Sequence, residues 1–272
     1  MKTVGLALGG GGARGIAHIA VLEALDDMGV KPVAIAGTSI GALIGAAYAA
    51  GMTGKEIRRY LLSLAHDRSE MVRRLIAARG RSIAALFRSG TAAMVDAEKL
   101  CAQFMPEQVP EDFGSLAIPL TVIASDLFRR EALALSAGAL RPALAASIAL
   151  PALMRPVVID GRTLIDGGAT NPLPFDQLRG KADVVVAVDI SGERNDRREM
   201  PGPWECLVTT VMVMGYAITS EKLKHTAPEL IIRPNVGSFR TLDFLQASAI
   251  LRASEPVKAE IKTRLAALLA NC

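Results

Sequence analysis

The sequence has 272 residues, of which 51% are hydrophobic, 21% charged and 4% aromatic, and its formal net charge is +4. This composition is that of a globular protein with a large core, and it excludes a chain that is disordered throughout. Few aromatic and many small aliphatic residues favour close-packed helices and buried parallel strands over an aromatic-rich β sandwich. Cys101, Cys206 and Cys272 are too scattered for a disulfide framework or a metal site.

Strands and helices alternate at the start of the chain. Apolar runs at residues 3–8 and 32–36 are typical of buried strands, and helical periodicity follows them at about residues 16–28 and 40–50. This order predicts an α/β fold with a mostly parallel central sheet covered by helices on both faces, a three-layer α/β/α arrangement. The first eight residues hold no apolar core long enough for a signal peptide, so we expect a cytoplasmic protein.

A basic helical insert at about residues 52–115 interrupts this alternation. Thr53 and Glu56 have the spacing of a capping box, and a helical stretch follows to about residue 88. A further helix and a proline-containing loop are predicted over residues 90–115. Residues 55–88 hold nine Lys or Arg and three Asp or Glu, a local charge of +6 against +4 for the whole chain.

The sheet resumes after the insert. Residues 118–127 and the segment after them are predicted to form two paired strands, and a helix is expected at about residues 140–149. Asp160-Gly161 is a strong signal for a two-residue hairpin turn. No linker or repeat is present, so residues 1–272 are predicted to form one domain. The remaining predicted elements are a strand at 182–191, a long helix near 204–225, a strand at 230–234 and terminal helices that end at 269.

Residues 9–15 form a glycine-rich loop between the first strand and the first helix. Gly10, Gly12 and Gly15 satisfy the G-x-G-x-x-G pattern, and such a loop aims backbone N–H groups at one point, which suits pyrophosphate or a developing oxyanion. Dinucleotide binding needs an acidic residue at the end of the second strand, but residues 36–39 there are Ala-Gly-Thr-Ser. Dinucleotide binding is therefore disfavoured, and a loop that serves only as a tight turn is the alternative.

A G-x-S-x-G sequence, formed by Gly37, Ser39 and Gly41, follows the second predicted strand and precedes an alanine-rich helix. This context predicts a nucleophile elbow, in which a strained turn presents the serine hydroxyl above the sheet and the glycines avoid collisions with neighbouring backbone. The glycine-rich loop at the end of the adjacent strand would supply oxyanion N–H donors. A coincidental Gly/Ser turn is the alternative.

A nucleophilic serine needs a base, which is usually a histidine. No histidine here lies on a loop after a strand, so each is expected to be structural or on the surface. Asp166, followed by Gly167 and Gly168 at the end of a predicted strand, is the other candidate, because burial raises the pKa of a carboxyl group towards a useful value. By itself this DGG segment is better explained as a simple turn. The three histidines are His18, His66 and His225.

Together, the GGGGARG loop, the GTSIG elbow and the DGG motif resemble the patatin-like phospholipase family, in that family's order. Longer segments, including ASIALPALMRPV and LIDGGATNPLP, extend the likeness over about residues 4–191. The resemblance implies a catalytic dyad of Ser39 and Asp166, a lipid or acyl-ester substrate, and no metal or organic cofactor. The residues that it implies for the oxyanion hole are Gly10, Gly11 and Gly12, with Arg14 lending positive charge. The other motif residues are Gly15, Gly37, Gly41, Gly167 and Gly168.

The roles of two further segments, the basic insert and the apolar helix near residues 204–225, have more than one interpretation. In the basic insert, arginines alternate with apolar residues, as in an interfacial helix that contacts a membrane or in the solvated face of a cap over the active site. No DNA-reading motif accompanies these arginines, so no nucleic-acid partner is expected. The apolar helix near residues 204–225 is predicted either to pack inside the fold or to form a homodimer face. The arginines are Arg58, Arg59, Arg73 and Arg74, and their apolar neighbours are Leu61, Leu62, Leu75 and Ile76.

Two other functions are consistent with the same motifs. A non-hydrolytic lipid-binding or regulatory protein would keep the fold, but an intact Ser-Asp pair argues against it. An acyl transferase would use the same elbow. Transferases with such an elbow usually pair the serine with a histidine, and no histidine occupies that place in this sequence.

Overall fold

The computed structural model of the protein describes residues 2–66, 73, 94–192, 200 and 202–270. Within these residues one eight-stranded sheet forms the centre of the fold. The strands are β1 (Val4–Leu8), β2 (Ala34–Thr38), β3 (Leu120–Asp126), β4 (Glu131–Leu135), β5 (Val157–Ile159), β6 (Arg162–Asp166), β7 (Val184–Val188) and β8 (Leu230–Ile232).

The central strands are continuous apolar runs. Every residue of β1, β2 and β7 is buried, as expected for parallel strands that are covered on both faces. The strand order is β5-β6-β3-β2-β1-β7-β8, and β4 pairs with β3 outside this path. Strands β1, β2, β3, β7 and β8 run parallel, whereas β4 and β6 run antiparallel to β3. The predicted α/β class with a mostly parallel central sheet is confirmed.

Helices follow most of the strands. A 3-10 helix, Gly12–Ala17, continues the glycine-rich loop, so the first α-helix begins at residue 18, two residues later than the periodicity indicates. The described α-helices are α1 (His18–Asp27), α2 (Ile40–Ala49), α3 (Gly54–His66), α4 (Ala97–Phe104), α5 (Leu140–Ile148), α6 (Pro203–His225), α7 (Ala247–Ser254) and α8 (Val257–Ala270).

The two faces of the sheet are covered unequally. Leu6, Leu8 and Ile35 face the larger core, which includes residues of α1, α2 and α5. The opposite face carries small residues such as Ala7 and Ala36, and it packs against a short 3-10 helix, Phe175–Leu178, and against Leu223 of α6. Alternate residues of a strand point to opposite faces, so the small residues on this side let an irregular layer approach the sheet closely.

The predicted hairpin is present between β5 and β6. Asp160 and Gly161 have φ values of 50° and 72°, both in the left-handed region, as a type I′ turn requires. In the region of the basic insert, the described residues form α3, α4 and a loop with a 3-10 helix at Phe113–Ser115. The rest of the predicted insert helix, with Arg74, Leu75 and Ile76, lies outside the described residues.

Part of the α3 surface that the sequence offers for membrane contact packs against the rest of the fold. The guanidinium of Arg58 donates to both carboxylate oxygens of the buried Glu23, at 2.7 Å each, and to Glu255. Leu61 and Leu62 are half-buried against the core. In this described part of the insert, these residues hold α3 to the body of the protein, so this side of α3 is not a free amphipathic face.

Candidate active site

The turn after β2 has the strained backbone of a nucleophile elbow. Ser39 has φ 54° and ψ −125°, a conformation that non-glycine residues adopt only where the surrounding structure enforces it. A Cβ atom on Gly37 would lie 2.6 Å from the Ala42 Cα atom, and one on Gly41 would lie 2.3 Å from the Leu8 carbonyl oxygen. The spacing of the two glycines therefore reflects close backbone approach on both sides of the serine.

Ser39 and Asp166 form a direct hydrogen bond. The Ser39 Oγ atom donates to Asp166 Oδ2 at 2.6 Å, and the Gly168 N–H donates to Asp166 Oδ1 at 2.7 Å. The Asp166 side chain is buried, and burial raises the pKa of its carboxyl group to about 6, although both hydrogen bonds act in the opposite direction. The carboxylate is thus a stronger base than an exposed aspartate and lies within reach of the serine proton.

These two side chains meet because two strands pair with successive parts of one edge of β3. Thr38, the last residue of β2, lies opposite Ile123, and Asp166, the last residue of β6, lies opposite Ala124. Strand β4 occupies the other edge of β3 along the same stretch, so β2 and β6 lie end to end. Ser39, which follows Thr38, is therefore placed beside the carboxylate.

Buried hydroxyl groups that the sequence analysis did not single out hold this arrangement in place. Ser147 of α5 donates to the Ile123 carbonyl at 2.6 Å and accepts the Ser39 N–H at 2.8 Å, so it ties the elbow to β3. Ser125 donates to the carbonyl oxygen of Asp166 at 2.9 Å. The sequence feature that could have identified these hydroxyl groups is a polar residue within an otherwise apolar segment, as at Ser147 between Ala146 and Ile148.

The glycine-rich loop lies beside the elbow, but its N–H groups are not equivalent. The Gly10 N–H donates to the Pro172 carbonyl at 2.8 Å, so this predicted oxyanion donor is already engaged. Within the described residues, the N–H groups of Gly11 and Gly12 donate to no other group. A Cβ atom on Gly10 would lie 3.4 Å from Ser39 Cβ, which places the loop directly against the serine.

The other predicted motif residues have structural contacts. The Arg14 guanidinium donates to the carbonyl oxygen of Ser191, at the carboxyl end of the β7 segment, and Arg14 is not among the described residues that line the cavity over Ser39. Gly15 leaves room for the side chain of Ile40, because a Cβ atom there would lie 2.2 Å from Ile40 Cγ2. A Cβ atom on Gly167 would lie 2.2 Å from the Ile123 carbonyl oxygen.

The described histidine side chains lie outside the Ser39–Asp166 pair. His18 is buried beneath the glycine-rich loop, where its Nε2–H donates to the Gly9 carbonyl at 2.8 Å. Burial lowers the pKa of His18 to about 4, so its ring is neutral at neutral pH. His225 is exposed at the end of α6, near Glu221, and the side chain of His66 is outside the described residues. His18 therefore supports the loop.

The patatin-like phospholipase family model matches residues 6–179, which include the glycine-rich loop, the elbow and the DGG motif. The chain belongs to this family. An uncharacterized NTE family protein of Mycobacterium tuberculosis is 38% identical over 70% of this chain and 49% of its own length. Patatin-like phospholipase domain-containing protein 7 of Rattus norvegicus is 31% identical over 89% of this chain and 19% of its own length.

A third patatin-like relative carries an activity in its name. Lysophospholipase NTE1 of Yarrowia lipolytica is 28% identical over 97% of this chain and 20% of its own length. The chain thus spans about half the length of the mycobacterial relative and about a fifth of the other two. The solved structure of VipD from Legionella pneumophila is similar in fold, with a TM-score of 0.53 at 15% identity, over 96% of this chain and 66% of that one.

The patatin-like motifs line a small cavity that α6 covers. This helix begins after residue 179, where the family match ends, yet it contributes Met212, Gly215 and Tyr216 to the wall opposite Ser39. The cavity volume is about 30 Å³, which is enough to hold a water molecule. A larger open depression of about 550 Å³ lies at the end of α2 and along α3, away from the Ser39–Asp166 pair.

The described residues contain neither a metal-binding cluster nor a membrane-spanning helix. No group of three or more His, Cys, Asp or Glu side chains there is placed to hold a metal ion. Among the described helices, none is long and apolar enough to span a membrane.

Proposed function

We propose that this protein hydrolyses acyl esters of lipids, as a phospholipase or lysophospholipase, with Ser39 as nucleophile and Asp166 as base. The observation that carries the proposal is the 2.6 Å hydrogen bond from Ser39 Oγ to a buried carboxylate whose pKa is raised to about 6. Family membership and the lysophospholipase named among the relatives support a lipid ester as the substrate.

In the proposed reaction, Ser39 Oγ attacks the ester carbonyl carbon while Asp166 accepts the hydroxyl proton. The tetrahedral intermediate collapses to an acyl-enzyme, and the leaving alcohol takes the proton back from Asp166. Asp166 then accepts a proton from water, the resulting hydroxide attacks the acyl-enzyme, and the fatty acid leaves as Ser39 Oγ is reprotonated. All bonds are made and broken by these two side chains, the ester and water.

We assign the oxyanion hole to the N–H groups of Gly11 and Gly12. The Gly10 N–H is hydrogen-bonded to Pro172, whereas those of Gly11 and Gly12 donate to no other described group. Gly11 also lines the cavity over Ser39. Each such donor lowers the activation free energy by about 3 kcal/mol in serine hydrolases, so the two remaining donors suffice for strong stabilisation.

The test is release of fatty acid from a phospholipid, a lysophospholipid and a short-chain aryl ester. Ser39→Ala and Asp166→Asn should each lower turnover at least about a thousandfold, because the two groups act as a unit. Ser115→Ala and Asp160→Asn, which alter an exposed serine and an exposed aspartate, are the matched controls and should retain turnover.

Three results would contradict the proposal. Substantial hydrolysis by Ser39→Ala would exclude Ser39 as the nucleophile. Transfer of the acyl group to an added alcohol in preference to water would favour the acyl transferase. A folded wild-type protein that cleaves none of the esters but binds lipid would favour the non-hydrolytic lipid-binding function.

A further inference from the structure

Most of the exposed large apolar side chains of the described structure lie in three segments. One is the turn between β3 and β4, where Phe128 is 76% exposed. The second is the outer face of α6, where Val213 and Met214 are 62% and 58% exposed. The third is the segment after β8, where Leu245 is 63% exposed. We call these residues, together with the others in the same segments, the carboxyl-edge surface. Its members are Leu127, Phe128, Leu207, Val213, Met214, Tyr216, Leu242, Phe244 and Leu245.

The three segments share one edge of the sheet. Strands β1, β2, β3, β7 and β8 are parallel, so their carboxyl ends lie together. Ser39 follows β2 at this edge, and Leu127 follows β3. Tyr216 of α6 lines the cavity over Ser39. The segment after β8 returns to the same edge, because the Thr241 carbonyl accepts the Ala13 N–H of the glycine-rich loop at 2.8 Å.

Helix α6 presents an outer face without charge. From residue 206 to residue 220 it contains no Asp, Glu, Lys or Arg. Val208, Gly215 and Thr219 form its buried stripe, whereas Val213 and Met214 point outward. A surface helix of a soluble protein usually carries charged residues on its outer side, and a contiguous exposed apolar patch marks a site of interaction.

The turn between β3 and β4 holds an aromatic ring beside two cations. Asp126 Oδ1 accepts the backbone N–H groups of Phe128 and Arg129, at 3.1 and 2.9 Å, so the turn has a defined shape. Arg130, with φ 58°, completes the turn, and the Arg129 side chain is 60% exposed. An exposed aromatic residue followed by two arginines is a combination suited to the interface of an anionic membrane.

We propose that the carboxyl-edge surface docks on an anionic phospholipid bilayer. Phe128 and the outer face of α6 enter the interface, and Arg129 and Arg130 pair with acidic headgroups. The choice of a lipid partner rests on the proposed function, since a lipid ester in a bilayer must reach the edge that carries Ser39. A dimer through the same surface would instead cover the cavity over Ser39.

The test uses the full chain with Ser39→Ala, so that binding is measured without hydrolysis. Sedimentation with vesicles of phosphatidylcholine and phosphatidylserine should recover the protein. Phe128→Asp and Val213→Asp should each weaken binding about tenfold or more, because each removes an apolar group that the bilayer would bury and adds a charge that acidic lipids repel. Val33→Asp is the matched control, since Val33 is 40% exposed at the opposite edge of the sheet, and it should bind as the parent does.

A second pair of variants tests the electrostatic part. Arg129→Gln and Arg130→Gln should weaken binding to the mixed vesicles, and the loss should disappear on vesicles of phosphatidylcholine alone. The proposal would be overturned if all three aspartate variants, Phe128→Asp, Val213→Asp and Val33→Asp, bound the mixed vesicles equally well. So would a parent chain that binds no vesicle and forms a dimer that Val213→Asp dissociates, because the surface would then be a subunit interface.

Hydrolysis of a soluble aryl ester separates this proposal from the proposed function. With Ser39 present, Phe128→Asp should cleave that ester at the wild-type rate, because Phe128 is not among the residues that line the cavity. If the wild-type chain cleaves the soluble ester but binds no vesicle, only the docking proposal fails. If it binds vesicles through this surface but cleaves no ester, only the proposed function fails.

Discussion

At the scale of single residues, Asp166 combines two roles that conflict energetically. Its carboxylate is buried, which disfavours the ionised form, yet as the proposed base it must be ionised before it accepts the serine proton. The hydrogen bonds from Ser39 and Gly168 stabilise the ionised form in part, and the pKa that results is about 6. Activity and stability should therefore respond to pH through the same group.

The rate of ester cleavage should fall as the pH drops through about 6. Below this pH the Asp166 carboxyl group is protonated in the free enzyme and accepts no proton from Ser39. The measurement is kcat/KM for a soluble aryl ester as a function of pH. His18→Gln, which keeps a donor for the Gly9 carbonyl, should leave the midpoint unchanged. An acid limb near pH 4, or one that His18→Gln displaces, would contradict the assignment of Asp166 as base.

Asp166→Asn should stabilise the folded protein at pH 7 while it abolishes turnover. The pKa of Asp166 is higher in the folded protein than in the unfolded chain, so this group favours folding at low pH and the benefit is lost as the pH rises through about 6. At pH 7 the asparagine should raise the free energy of unfolding by about 1–3 kcal/mol. Urea unfolding at several pH values measures it, with Asp160→Asn as control. An Asp166→Asn variant that is less stable than the wild type at pH 7 would contradict the conclusion that the ionised carboxylate destabilises the folded protein.

At the scale of elements, the site depends on how closely β1, β2 and α2 approach one another. Gly37 and Gly41 have no side chain at the points where the elbow meets its own helix and the end of β1. Ser147 of α5 then fixes the elbow to β3 through two hydrogen bonds. The strain at Ser39 persists because these contacts leave the turn no alternative conformation.

Gly41→Ala should destabilise the protein by about 3 kcal/mol or more, because its Cβ atom would collide with backbone that has no room to move. The new atom would lie 2.3 Å from the Leu8 carbonyl oxygen and 2.7 Å from that of Gly9. Gly202→Ala is the matched control, since nothing lies within 4 Å of a Cβ atom there. Urea unfolding compares the two variants, and equal stability would show that β1 and α2 are not in close contact at this point.

At the scale of the whole molecule, one buried carboxylate joins segments that are far apart in the sequence. Glu23 of α1 is 3% exposed, and it accepts hydrogen bonds from Arg58 of α3 and forms an ion pair with Lys258 of α8 at 2.5 Å. Glu255 contacts the same two cations. Burial acts to raise the pKa of Glu23, but the hydrogen bonds from Arg58 and Lys258 outweigh it, and the pKa lies below its usual value.

Glu23→Gln should lower the free energy of unfolding by about 3 kcal/mol, because it leaves two cations facing a single partly exposed carboxylate. Glu221→Gln removes an exposed carboxylate that also contacts two basic side chains, and it should leave stability nearly unchanged because water screens such pairs. Denaturant unfolding of both variants is the measurement. Similar values for the two would mean that the buried cluster adds nothing beyond an ordinary surface pair.

The α/β class, the order of the three motifs and the positions of the proposed nucleophile and base could all be predicted from the sequence. These features are local, because each motif imposes a backbone requirement that adjacent residues satisfy. The motifs are a glycine-rich loop after a strand, a serine between two glycines, and an aspartate at the end of a strand. The Asp160-Gly161 turn was predictable for the same reason, since its φ values depend on the two residues themselves.

Which groups lie within reach of Ser39 depends on tertiary contacts. Ser39 and Asp166 are 127 positions apart, and they meet because β2 and β6 share one edge of β3. The capture of the Gly10 N–H by Pro172 and the covering of the cavity by α6 likewise join residues distant in the chain. Such contacts depend on strand register and layer packing, which local periodicity does not specify.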